Sequence, residues 1–246
     1  MRITKYLAAA ALAFACTAAS AQEEAEEPEN GFSVSADFVS SYAWRGGYCA
    51  GASFQPTISY TVGGFTFGTW ATSTIKGGDD YTEIDWSAFY TAGGFSVGVT
   101  DYSWTMDKGF VYFDPYKESH FLEATLAYEL LNVPLSFSVN TMLAGANRTA
   151  DDEAGLSTYI NAIYAPSLSN GIDLSLEAGF AIEKDEAAMY SSKGGFQCVN
   201  LALGLSKTFP VKDLAEITVS AGTYCNPKGF DGHGQVGASV GVGIAF

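Results

Sequence analysis

The chain has 246 residues, with 12 Lys and Arg against 27 Asp and Glu, for a net charge of −15. A surface of that sign repels phosphate, which argues against nucleic acid as a partner. Only 16% of residues are charged while 14% are aromatic, the reverse of an acidic disordered chain. The 27 glycines disfavour a helical bundle, since each costs about 1 kcal/mol in a helix interior.

In chain order, Met1 to Ala21 has the three parts of a secretory signal peptide. Arg2 and Lys5 form a basic start. Tyr6 to Ala15 is an apolar stretch too short to span a bilayer, and Ala19-Ser20-Ala21 supplies the small residues of a cleavage site. Cleavage near Ala21 places the mature start at Gln22. Acylation at Cys16 is disfavoured by Ala13 and Phe14. Residues 22–30 carry Glu23, Glu24, Glu26, Glu27 and Glu29, an acidic flexible leader. No later run of 18 apolar residues exists, so no transmembrane helix is expected.

From Gly31 onward the chain alternates apolar and small or polar residues, the period of a strand with two different faces. The last segment shows it best: Val236, Ala238, Val240, Val242, Ile244 and Phe246 alternate with glycines, Ser239 and Ala245. Similar segments occur at Phe32–Trp44, Phe54–Val62, Ile84–Tyr90, Leu122–Tyr128, Val133–Leu143, Leu156–Tyr164, Ile172–Ile182, Val199–Leu205 and Ile217–Thr223. Phe65–Ile75 and Phe95–Trp104 complete twelve, but their apolar residues switch sides partway, as a bulge or a glycine kink allows. Short links such as Val62-Gly63-Gly64 and Ala92-Gly93-Gly94 alternate with long polar ones. The expectation is an all-β fold, a transmembrane up-and-down antiparallel β-barrel of twelve strands over residues 31–246. The alternative, a soluble sandwich or lipocalin-like barrel, has the same period with its apolar face inward.

The stretch Asp37-Phe38-Val39-Ser40-Ser41-Tyr42-Ala43-Trp44-Arg45-Gly46 resembles the first strand of the TorF family of porins, which carries Ser-x-Tyr-x-x-Arg-Gly. Gly64-Phe65-Thr66-Phe67-Gly68-Thr69-Trp70-Ala71, Glu83-Ile84-Asp85 and Phe121-Leu122-Glu123 extend the likeness over the first half of the mature chain. The resemblance implies an outer-membrane pore of poorly defined substrate. The family's Gly-[Ile/Val]-Ser after the arginine is replaced here by Gly47-Tyr48-Cys49.

If the apolar parity faces lipid, the opposite parity lines the interior. The expected pore-lining residues are Asp37, Arg45, Glu83, Asp85, Glu123, Asp173 and Glu177, with Arg45 inward on the first strand and bridging a lumen carboxylate. Asp101 joins them only if Phe95 and Val97 point inward. An acidic lumen favours cations over anions. Twelve-stranded barrels include lipases that need a serine beside a histidine, but His120 and His233 lack that spacing, so no enzyme is expected. No ligand spacing for a metal is present, and no cofactor is expected. Asp79-Asp80 and Asp151-Asp152-Glu153 read as solvated loop charges. Of the three cysteines after processing, Cys198 and Cys225 come close across a hairpin rim with differing parities. Cys49 reaches Cys225 from the first loop, and Cys49–Cys225 is the preferred disulfide. The expectation is therefore a passive pore for small cationic or neutral solutes in the outer membrane of a Gram-negative bacterium, in contact with outer-membrane lipid. The alternative is a non-conducting surface barrel.

Overall fold

A strand with one apolar face needs an apolar environment on that side alone, and the alternation from Gly31 onward repeats this demand twelve times. The computed structural model describes residues 30–75, 81–105, 112, 115–212, 214–229 and 234–246. Its elements are β1 (Gly31–Val39), β2 (Tyr42–Trp44), β3 (Gly47–Ala50), β4 (Ser53–Val62), β5 (Phe65–Thr74), β6 (Thr82–Ala92) and β7 (Phe95–Thr105). There follow a helical turn α1 (Tyr116–Ser119), β8 (His120–Glu129), β9 (Leu135–Gly145), β10 (Thr158–Tyr164), β11 (Asp173–Glu183), β12 (Gly195–Val211), β13 (Ala215–Asn226) and β14 (Gln235–Ala245). Twelve of these form a closed antiparallel barrel in which β1 pairs with both β14 and β4. The short strands β2 and β3 stand outside the ring as a separate hairpin.

The faces have the polarity of a membrane barrel. Phe32, Val34, Phe38, Ile58, Phe67 and Val242 are exposed on the outer wall, while Gln55, Ser59, Thr100, Thr125 and Asn140 are buried inside. A soluble barrel has the opposite arrangement. Closure leaves no unpaired strand edge toward lipid, which offers no hydrogen-bond partner. At the turn end the outer wall carries aromatic pairs, Phe32–Tyr60, Phe65–Tyr90 and Phe95–Tyr128, with ring centroids 4.3 to 4.7 Å apart. Such rings suit the boundary between hydrocarbon and headgroups. Gly63-Gly64 and Gly93-Gly94 have positive φ at both positions, the tight turn whose twist matches two paired strands.

Several sequence expectations need correction. The first strand stops at Val39, not Trp44, and the chain then turns out of the wall. Neither β5 nor β7 contains a bulge; both keep one parity over their whole length. The apparent switch of side comes from Trp70, Tyr102 and Trp104, large apolar residues that point inward. The connection between β12 and β13 is short, because β12 runs past the Val199–Leu205 segment to Val211, which pairs with Ala215. Real irregularities lie elsewhere: one where Glu123 meets Met142, one where Val199 is skipped in the β11–β12 ladder.

Candidate functional site

The segment between β1 and β4 has no place in the wall, because Val39 and Ser53 already face each other there. Ser40 donates its N–H to the Val240 carbonyl at 2.8 Å, and from that anchor β2 and β3 fold inward as a hairpin. Its tip is Arg45-Gly46, with φ of 49° and 83°. Glycine is required at the second position: a Cβ there lies 2.1 Å from the Val199 carbonyl oxygen of β12. The tip thus touches β12, β10 and β8, across the bore from the β1–β4 wall that it leaves.

Arg45 is held there by charge and by rings. Its Nη1 and Nη2 donate to Glu123 Oε2 and Oε1 at 2.6 and 2.8 Å, a bidentate pair with both side chains buried. Nη1 also donates to the Tyr190 hydroxyl at 2.6 Å, and Tyr102 donates to Glu123 at 2.9 Å. The guanidinium carbon lies 4.4 Å from the Trp44 ring centroid and 4.6 Å from that of Tyr159. Tyr190 belongs to the loop before β12, and Glu183 fixes that loop by accepting the Met189 and Tyr190 N–H groups and the Ser191 hydroxyl. Burial raises the Tyr190 phenol above its ordinary value, against the lowering effect of Arg45. Met142, Ala181 and Val199 pack beneath, and Trp104 stacks on Phe121 at 4.4 Å.

On the hairpin's other flank, Tyr42 and Tyr81 both donate to Glu83 Oε2, at 3.0 and 2.8 Å. The Tyr42 ring packs on Trp70 at 5.5 Å, and the Asp85 carboxyl adjoins that of Glu83. A cleft of about 550 Å³ opens beside the hairpin, lined by Ser41, Tyr48, Tyr224, Gln235 and Gly237 among others. Toward the turns the inward residues are mostly small or polar, with Phe89 and Ile163 among the exceptions. There Glu177 accepts from Tyr159 at 2.7 Å and Asn161 at 2.9 Å, and Asp37 faces Gly243. Asp173 lies at the turn end, where Ser167 donates to it at 2.6 Å.

The inward parity thus carries Asp37, Glu83, Asp85, Glu123, Asp173 and Glu177. Arg45 reaches Glu123 from the hairpin tip rather than from the first strand. Sequence reasoning missed Trp44, Trp70, Tyr102, Tyr159, Tyr190 and Glu183. The broken alternation of β5 and β7 was the signal for three of the inward aromatics.

Asp101 faces outward and takes His120 Nδ1 at 3.0 Å and the Tyr116 hydroxyl at 2.6 Å. His120 Nε2 is engaged by the Tyr112 carbonyl at 2.8 Å, and Tyr116 stacks on the imidazole. Ser103 stands opposite His120 in the ladder, yet its buried hydroxyl makes no hydrogen bond, so no serine–histidine contact is formed. His233 and Asp79-Asp80 lie outside the described residues. Among the described residues no three His, Cys, Asp or Glu gather as metal ligands.

The expected Cys49–Cys225 disulfide is not formed; Cys49, Cys198 and Cys225 are free thiols. Cys49 packs against the inward Tyr42–Trp70 cluster, whereas Cys225 alternates with the inward Tyr224 and Asn226 and so points outward. The differing parities of Cys198 and Cys225 are corrected by the irregularity at Val199, which turns Cys198 outward as well.

No family model matches the chain, and no curated protein matches it in sequence. Solved structures similar to it include a NanC porin, at TM-score 0.47 and 8% identity over 88% of this chain and 99% of that one. A KdgM porin matches at TM-score 0.46 and 10% identity over 87% and 98%, and a bacterial polysaccharide outer membrane secretin at 0.43 and 8% over 88% and 98%.

Proposed function

We propose that the chain is an outer-membrane pore through which small cationic or neutral solutes diffuse passively, constricted by the β2–β3 hairpin. The observation that carries this reading is the charge balance of the bore. Its one placed cation, Arg45, is paired with Glu123, while Asp37, Glu83, Asp85 and Glu177 face inward with no Lys or Arg salt bridge among the described residues. Unmatched carboxylates in a narrow bore lower the energy of cations and raise that of anions. The secretory character of Met1–Ala21 supports export, and two turn glycine pairs against longer loops support periplasmic termini. The residues that resemble the TorF porins, Ser40, Tyr42, Arg45 and Gly46, are the ones that build the hairpin.

Planar-bilayer recording of the purified barrel tests this. The expected result is a small conductance whose reversal potential in a KCl gradient favours potassium; preference for chloride overturns the acidic-lumen argument. The non-conducting alternative is favoured by the dense ring packing around Arg45. Because Val39 and Ser53 are register partners, an Asn-Gly turn can replace the segment between them and remove the hairpin. A folded barrel that passes no current even then is not a pore.

A further inference from the structure

The bore contains two carboxylate stations with similar surroundings. At the first, Glu123 is met by the chain's own guanidinium, whose N–H groups reach both of its oxygens while Trp44 and Tyr159 cover its faces. The second is the Glu83–Asp85 pair on β6. Across the ladder, Asp85 is flanked by Trp70 and Tyr102, and Glu83 by Thr72 and Trp104. Both carboxylates are almost fully enclosed, at 1% and 4% exposure. Two hydroxyl donors converge on one oxygen of Glu83, the Ser103 N–H serves Asp85 and the two carboxyls lie within hydrogen-bonding contact of each other, but Asp85 Oδ1 is left without a donor.

Adjoining buried carboxylates repel, and an acceptor without a donor adds a desolvation cost. Those conditions favour a cation that also donates hydrogen bonds. The walls supply aromatic faces rather than the further oxygens that a divalent metal needs, and no three-ligand cluster is present among the described residues. We infer that Glu83 and Asp85 form a station for a solute bearing an N–H-donating cation, an ammonium or a guanidinium, bound by the same chemistry that holds Arg45 on Glu123. The inference deepens the pore reading and rests on it for how the solute arrives.

The test is equilibrium binding to the purified full-length barrel, read from the fluorescence of Trp70 and Trp104. Methylammonium and methylguanidinium separate the two cation types; tetramethylammonium, which has no N–H donor, and potassium are the controls. The expected result is saturable binding of at least one N–H donor, little or none of the controls, and at least tenfold weaker binding in Asp85→Asn. The comparison of methylammonium with tetramethylammonium needs no variant, so it stands even if Asp85→Asn fails to fold. Equal binding of tetramethylammonium, no binding to the wild type, or unchanged binding in Asp85→Asn each overturns the station. Cation-selective current without N–H-donor binding removes the station and keeps the pore. Binding without current removes the pore alone.

Discussion

Toward the loops, the inward positions of β7, β8 and β10 carry Tyr102, Trp104, Phe121 and Tyr159; toward the turns, the same strands carry Ser96, Gly98, Thr125, Ala127 and Asn161. The loop-side half is filled by large rings packed around a hairpin that enters from outside the ladder. The turn-side half is bounded by the wall alone, with mostly small or polar inward side chains, Phe89 of β6 being a buried exception. The contrast separates two jobs: strand pairing makes the bore, and the segment between β1 and β4 narrows it. The two parts should therefore respond differently to substitution.

The largest effect is expected at Arg45. Arg45→Ala leaves Glu123 buried without its cation, and breaking such a pair costs on the order of 3–5 kcal/mol. The expected outcome is a clear fall in the temperature at which the folded gel band converts to the unfolded one, together with a larger single-channel current. Adding Glu123→Gln should recover part of the lost stability, because no unpaired carboxylate remains. If the double variant is no better than Arg45→Ala, the rings rather than the charge pair hold the tip.

Much of the turn-side half was legible in the sequence and much of the loop-side half was not, for physical reasons. Outward positions along the middle of the wall face lipid and are mostly apolar, so alternation locates every strand of the barrel. Val236 to Ile244 shows this without exception. Inward positions of the bore are mostly small or polar toward the turns. Where it is filled, as at Trp70, Tyr102 and Trp104, apolar residues occur at both parities and imitate a bulge that is absent. Tyr42-Ala43-Trp44 continues the first strand's pattern, and only the backbone at Arg45 and Gly46 marks the departure into the bore. The real irregularity at Val199 has no sequence signature, because a skipped residue looks like any other valine.

Two glycines bring the comparison to single atoms. At Gly46, an added Cβ meets the Val199 carbonyl oxygen at 2.1 Å with φ at +83°, and neither backbone can yield cheaply. Gly46→Ala should cost roughly 1–3 kcal/mol and raise the current by displacing the tip. At Gly243, on the turn side, an added Cβ meets Asp37 Oδ1 at 2.2 Å, the movable end of a side chain. Gly243→Ala should leave thermal conversion within about 0.5 kcal/mol of the wild type while lowering conductance slightly. Equal destabilisation by the two substitutions would mean that the turn-side bore is as tightly packed as the constriction.

The smallest effect belongs to an ion-pair cluster that solvent reaches. On the loops, Asp152 accepts from Lys117 at 2.7 Å and from Arg148, the same donor and acceptor chemistry as Arg45 with Glu123. The hydrogen bonds from Lys117, then Arg148, hold the Asp152 carboxyl below its ordinary value. A depressed carboxylate adds stability above its unfolded pKa, about 3.9, and that contribution disappears as pH falls through the lower folded value. Asp152→Asn should therefore lower the conversion temperature only slightly at neutral pH, with the difference vanishing in acid and shrinking in high salt. Arg45→Ala should keep most of its effect in the same salt, because its pair is shielded from water by rings. If salt weakened both variants alike, water would have to reach the Arg45–Glu123 pair, and the constriction would be looser than its packing indicates.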